Sequence, residues 1–119
     1  MTVTYEEFEK VEIRIGKVIQ VEDFPNARKP AYKLWIDFGE LGLKKSSAQI
    51  THLYEKEELV ERLVIAVTNF PPRQVADFRS EVLVLGAVDE NGECIGLLEC
   101  DRPRRWLGDR SIPLGRRIL

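Results

Sequence analysis

Between Val11 and Val21 the apolar residues Val11, Ile13, Ile15, Ile19 and Val21 fall on alternate positions, with Glu12, Arg14, Gln20 and Glu22 in register with the gaps. A period of two is the mark of a half-buried strand, and this one is long. Gly16 sits inside it, and a glycine within a strand marks a bulge or a sharp bend. A long first strand that bends to serve two sheet edges is a device of small closed barrels. That segment narrows the fold more than any other.

The remaining segments fit around it. Thr4 is a helix N-cap with Glu7 three residues on, a capping-box spacing, so Thr4 to Lys10 is expected to form a short helix. Two turns are not stable alone in water, so the Tyr5/Phe8 face must dock on something. Phe24 to Pro30 is a loop by its proline and asparagine content. A second strand is expected over Tyr32 to Phe38, with Leu34, Ile36 and Phe38 on one face and Lys33, Trp35 and Asp37 on the other. Trp35 is then either a second contact surface or a partly covered ring. Gly39 to Gly42 is a turn, and Lys44 to Ile50 a third, more polar strand.

Tyr54 to Leu63 has helical spacing, with Leu59 and Leu63 on the apolar side and Thr51 or His52 as cap. Val64 to Val67 is an apolar, β-branched run that suits a strand covered on both faces. Asn69 to Arg79 is an irregular loop containing Pro71-Pro72. Val82 to Val88 and Cys94 to Leu98 flank an Asp89-Glu90-Asn91-Gly92 hairpin signal. Beyond Asp101 the prolines and glycines predict a loop, then a final strand at Arg116 to Leu119. Three strands, a helix, then two strands is the order of an OB-fold. The expected class is therefore all-β: a single domain over 1–119 with a five-stranded OB-fold barrel, a helix between strands 3 and 4, an N-terminal helix within 1–10 and a C-terminal β extension within 101–119.

The totals agree with one ordinary domain. A chain of 119 residues can bury roughly 65% of its unfolded surface. A net charge of −2 argues against wholesale charge-driven nucleic-acid binding, so any such contact must come from a local basic patch. Glu6 to Glu12 carries four Glu and one Lys, while Asp101 to Leu119 carries six Arg and two Asp; both suit solvated faces. Apolar runs long enough to span a bilayer are lacking, and the N-terminus does not resemble a signal peptide, so a cytoplasmic location without membrane insertion is expected. On one continuous strand Cys94 and Cys100 would lie about 20 Å apart, too far to bridge.

Chemistry follows from what clusters. His52 is the lone histidine, and P-loop, G-x-G-x-x-G and H-E-x-x-H patterns are absent. Asp37, Glu40 and Glu81 carry no motif. An enzyme is not indicated, and neither cofactor nor metal is expected. Binding groups are richer. Arg28, Lys29, Lys33, Lys44, Lys45, Arg73 and Arg79 lie in or beside three loops, with Tyr32, Phe70 and Phe78 interleaved. Ser46, Ser47, Gln49, Asn69, Gln74 and Ser80 add hydroxyls and amides. Basic groups with aromatic platforms suit a single-stranded nucleic acid. The same set suits an extended peptide. Phe70 and Phe78 could also simply pack the loop onto the barrel.

Four stretches carry a resemblance: Arg14-Ile15-Gly16-Lys17-Val18, Phe24 to Gly39, Lys44-Lys45-Ser46-Ser47-Ala48-Gln49-Ile50-Thr51, and Asn69-Phe70-Pro71-Pro72-Arg73-Gln74 followed by Ser80 to Gly86. They resemble the CsaA family of export-related chaperones, within the wider tRNA-binding-domain family of OB-folds that are also appended to methionyl- and phenylalanyl-tRNA synthetases. The match runs from about Tyr5 to Leu98 and resumes at Ile112 to Leu119. The resemblance implies a homodimer that binds unfolded or precursor polypeptides and assists Sec-dependent export, with contacts to export machinery. The wider family implies shape-directed tRNA binding through the same surface. Where tRNA-binding members show Ser-Glu-Gly-Met, this chain has Ser80-Glu81-Val82-Leu83, which favours the chaperone branch. The Pro103 to Ser111 segment, with Trp106, looks longer than is usual there, and Trp106 is expected to pack on a partner subunit. A twofold contact would cover both the Tyr5/Phe8 face and the Arg116 to Leu119 strand.

Overall fold

The computed structural model describes residues 1–100 and 112–119; the expectations placed on Pro103 to Ser111 and Trp106 lie outside the described residues. In chain order the elements are α1 (Tyr5–Glu9), β1 (Ile13–Asp23), β2 (Tyr32–Asp37), β3 (Leu43–Ala48), α2 (Lys56–Leu59), β4 (Leu63–Val67), β5 (Arg73–Val75), β6 (Phe78–Ser80), β7 (Leu83–Val84), β8 (Gly86–Val88) and β9 (Ile95–Leu97). Five strands form one antiparallel sheet in the order β3-β2-β1-β4-β7, which curls into a nearly closed OB-type barrel. Among the described residues no helix is long and apolar enough to cross a membrane.

β1 serves two partners, as its length requires. Its first half, Ile13 to Lys17, pairs with β4, and its second half, Lys17 to Asp23, pairs with β2. The bend has two parts. At Gly16 a Cβ would lie 2.6 Å from the Phe38 ring and 2.7 Å from Ile36 Cγ2, so the strand lies directly on a fully buried aromatic. The ladder irregularity comes later, between Val18 and Gln20. This corrects the expected phase. Gly16 and Val18 share the inward parity, the extra residue after Val18 brings Val21 to the same side, and Ile19 is exposed.

The core is the barrel interior: Val18, Tyr32, Leu34, Ile36, Phe38, Ile50, Leu59, Val64, Ala66 and Val82. The expected Tyr54 to Leu63 helix shrinks to the four residues of α2, capped by Glu55 rather than Thr51 or His52. Glu55 N donates to Glu58 Oε1 at 2.8 Å. The helix stops because β1 needs partners. Glu61 turns with a positive φ of 75°, its N–H donates to Val18 O at 2.7 Å, and Val18 N donates to Arg62 O at 2.9 Å. Tertiary pairing overrides local helix propensity here.

Two further expectations change. The Asn69 to Arg79 loop contains a small hairpin, β5 paired with β6. The expected Val82 to Val88 strand splits into β7, paired with β4, and β8, paired with β9. The turn between β8 and β9 is as anticipated, with Gly92 at φ 71°. Asp89 Oδ1 accepts from Cys94 N at 3.2 Å and Glu93 N at 2.9 Å, and these bonds hold its carboxyl below the ordinary range.

The N-terminal helix stands exposed, whereas the C-terminal residues lie against β1. The Thr4–Glu7 capping box forms, with Thr4 N donating to Glu7 Oε1 at 2.9 Å and Glu7 N to Thr4 Oγ1 at 3.1 Å. At Ile13 to Ile15 the edge of β1 opposite β4 is free of β2, and residues 115–118 take it. Gly115 N donates to Ile15 O at 2.8 Å, Ile15 N to Arg116 O at 3.1 Å, and Ile118 N to Ile13 O at 2.7 Å. The expected final strand is thus a single bridge, Arg14 with Arg117, held by flanking bonds.

Gly16→Ala forces a methyl into the Phe38 ring and is expected to cost about 1–3 kcal/mol, seen as a lower urea midpoint. Gly96→Ala, whose Cβ would have only one neighbour, at 4.0 Å, is expected to move that midpoint little. The Asp89 contribution is present above the unfolded carboxylate pKa and is lost as pH falls through the lower folded value. The protection of amides in β8 and β9, relative to their intrinsic exchange rate at each pH, is therefore expected to fall on acidification before the rest of the barrel responds.

Candidate functional site

The site grows out of the way the barrel closes. β3 is an edge of the five-stranded sheet, and the chain between β6 and β7 crosses it. Glu81 N donates to Lys45 O at 2.7 Å and Val82 N to the same oxygen at 3.3 Å. Side chains complete the seam: Lys45 N donates to Glu81 Oε1 at 2.9 Å and Ser47 N to Ser80 Oγ at 3.0 Å. A carboxylate and a hydroxyl thus stand in for a strand's carbonyls. Beyond Ser47 the seam opens.

That opening is a groove of about 530 Å³. Ala48, Ile50, Val82, Val84 and Ile95 supply aliphatic lining, Phe70 and Pro71 form one wall, and Ser47, Gln49, Arg73 and Glu81 supply polar groups. Phe70 is 49% exposed. A second groove of about 570 Å³ adjoins it, between the 26–31 loop and β5. Ser47, Gln49, Arg73 and Val75 line both, so the two irregular segments lie side by side. Arg28, Lys29 and Arg73 line the second groove, together with Gln74 and Asn26; among the described residues no Asp or Glu lines it, and Asp77 lies beside it, accepting from Asn26 Nδ2 at 3.2 Å. One half is therefore apolar and the other cationic.

The other expected site residues divide by burial. Phe78 is 5% exposed, which corrects the expectation of an exposed platform. Its ring packs edge-on against Phe24 at 5.6 Å and Trp35 at 5.7 Å between centroids, so Trp35 is the partly covered ring. Lys33 Nζ stands 5.0 Å from the Phe24 centroid and 5.5 Å from that of Phe78, and Lys45 Nζ stands 5.2 Å from Phe78. These are cation–π distances. Tyr32 is likewise no platform. It belongs to the core, its hydroxyl donates to Tyr54 O at 2.9 Å, and burial pushes its phenol pKa up. Ser46 is fully buried and its hydroxyl donates to Ser47 O at 3.3 Å. Ser46 and Tyr32 point inward because they take the face opposite to Ser47 and Lys33, whereas Phe78 is covered because the hairpin folds back onto Phe24 and Trp35.

Asn69 has its polar atoms engaged elsewhere. Its Oδ1 accepts from Glu12 N at 2.9 Å and its Nδ2 donates to Lys10 O at 2.7 Å, stapling the exit of α1 to the end of β4. Gln74 Nε2 donates to Ala76 O at 3.0 Å within the hairpin. Arg79 is exposed on β6 and Lys44 half-buried on β3. Ser80 lines the groove while closing the barrel. Sequence reasoning missed Glu81 as a structural acceptor, and missed Ile50, Val82, Val84 and Ile95 as groove lining. The usable signal was a Ser-Glu pair set directly before an apolar run, where a polar edge-capping segment meets a strand. Among the described residues, no group of three or more His, Cys, Asp or Glu could hold a metal ion.

Comparison with known proteins places this geometry. Residues 13–105 match the family described as "Putative tRNA binding domain". Among solved structures, chaperone CsaA from Bacillus anthracis str. Ames superposes with a TM-score of 0.88 at 45% identity, covering 100% of both chains. The CsaA chaperone protein from Picrophilus torridus gives 0.85 at 47% identity, covering 99% of this chain and 100% of that one. Among curated relatives, the methionine–tRNA ligase of Pyrococcus furiosus is 34% identical over 116 residues, 98% of this chain, but the chain spans only 14% of that ligase.

Glu81→Ala removes the acceptor for Lys45 N. A hydrogen bond to a charged group is worth about 1.5–3 kcal/mol, so a loss of that order is expected in urea unfolding, with faster amide exchange at Lys45 and Ser47. Glu81→Gln, which keeps an oxygen acceptor, is expected to fall between.

Proposed function

The chain belongs to the tRNA-binding-domain family, in its CsaA branch, and from that premise we propose that it is a non-catalytic, cytoplasmic, homodimeric chaperone. It holds unfolded or precursor polypeptides in the groove beside β3 and assists Sec-dependent export. The observation that carries this reading is the groove itself: an aliphatic lining beside an exposed Phe70, with hydrogen-bonding groups at Ser47, Gln49 and Arg73. Apolar concave surface with a few convergent polar groups is what a sequence-tolerant polypeptide site needs. His52 is exposed and lines neither groove. The export role rests on the likeness to CsaA proteins.

Exposed apolar surface at both ends supports the dimer. Tyr5 is 61% exposed, and its ring lies 6.3 Å from that of Phe8. Val3 and Leu119 are exposed as well, and Arg117 Nη2 donates to Glu9 O, which ties the tail to α1. The tail also lines a depression of about 450 Å³ with Arg14, Phe38 and Leu41. A twofold contact would cover all of this in one patch.

The cationic second groove supports a second reading, tRNA binding. Arg28, Lys29 and Arg73 would meet phosphates there, and the synthetase relatives point the same way.

Phe70→Ala is expected to weaken binding of a reduced, carboxymethylated protein about tenfold, as loss of a central anchor does, with the fold unchanged by circular dichroism. Unaltered affinity would remove this ring from the site. Competition by tRNA, and affinity that falls steeply with salt, would favour the second reading; salt-insensitive client binding that tRNA does not displace favours the first. Light scattering is expected to give a dimer that Tyr5→Ala/Phe8→Ala converts to monomer.

A further inference from the structure

We propose that a client segment binds as an added strand just past the end of β3, pairing its main chain with Gln49 and with the carbonyl of Ser47. This rests on the polypeptide-binding reading above and specifies how that binding works. In an antiparallel ladder, successive residues direct their N–H and C=O groups to opposite edges. Lys45 sends both groups away from β2, since its N–H reaches Glu81 Oε1 and its C=O receives Glu81 N. Ser47 sends its N–H the same way, to Ser80 Oγ. Gln49 is the next residue of that parity. Among the described residues its main-chain N–H and C=O have no hydrogen-bond partner, and it lines the groove. The 80–82 segment therefore caps two positions of the β3 edge and leaves the third open.

An open strand edge is a template for another chain, and addition of a strand is a known mode of peptide capture. The groove fits the rest of such a ligand. Side chains of a strand alternate between faces, so every second residue of the segment would drop toward Leu83, Val84 and Ile95, aliphatic residues of the groove that keep exposed surface. Main-chain pairing with alternate apolar seats recognises an unfolded polypeptide without recognising its sequence. Phe70 and Arg73 at this groove would also serve a nucleic acid, so what favours a polypeptide is the main chain of Gln49, unpaired among the described residues. The adjoining Arg28, Lys29 and Arg73 then suit acidic residues at one end of the bound segment. The ligand class is an extended segment with apolar residues at alternate positions and an acidic flank.

The test is an N-methyl scan of a ten-residue peptide with Val and Leu alternating with Ser and Thr and ending in two aspartates, titrated into the full chain. Methylation of the residue whose main chain faces Gln49 is expected to weaken binding about five- to tenfold, the loss of one or more hydrogen bonds, while methylation of its two neighbours changes it little. The Gln49 amide is expected to become protected from exchange when peptide is bound. Replacing the aspartates by lysines is expected to weaken binding several-fold at low salt. If the unmodified peptide binds but no such contrast appears and Gln49 stays unprotected, strand addition is overturned and the chaperone reading survives. If neither the peptide nor the carboxymethylated protein binds, both fall. A single-stranded RNA that protects Gln49 as the peptide should would also overturn the proposal.

Discussion

Everything in this molecule depends on closing a sheet whose last strand is too short. β7 contributes only Leu83 and Val84, and it pairs with β4 through Ala66 and Val67. That leaves the outer edge of β3 to be satisfied by something else. The Ser80-Glu81-Val82 segment does it, using two backbone N–H groups and two side-chain oxygens on Lys45 and Ser47. Buried backbone groups left unpaired are expensive, so these bonds matter well beyond their number. They seal the barrel over its aliphatic core and set the place where sealing ends, which is where the groove starts.

The same economy shapes the first strand. Phe38 fills the middle of the barrel and demands that β1 pass over it without a side chain, which Gly16 allows. The bulge after Val18 then rotates the second half of β1 into register with β2. One strand thereby joins both halves of the barrel, and its leftover edge near Ile13 and Ile15 receives the C-terminal residues.

The barrel order was legible because it rests on period-two runs and turn residues: the β2 pattern Leu34, Ile36, Phe38 and the Asp89 to Gly92 turn came through intact. The Thr4–Glu7 cap was legible because it is local. What failed was non-local. The inward parity of β1 is set by Gly16 passing over Phe38, and the bulge then reverses it without a residue signature of its own, so Ile19 was placed inside. The length of α2 was decided by β1 seeking partners at Glu61 and Arg62. Of the expected site residues, Gln49, Arg73, Ser47 and Phe70 gather at the groove, whereas Tyr32, Ser46 and Phe78 are buried. Polarity and aromaticity in a sequence do not say which face a residue takes once a hairpin folds back over the sheet.

Asn69 and Phe70 are joined by one peptide bond and answer to different parts of the molecule. Asn69 is fastened to the backbone where the N-terminal helix ends, and Phe70 stands as a wall of the groove. Asn69 thus fixes where the chain leaves β4, and the place of the aromatic wall follows from an amide side chain that never enters the cleft.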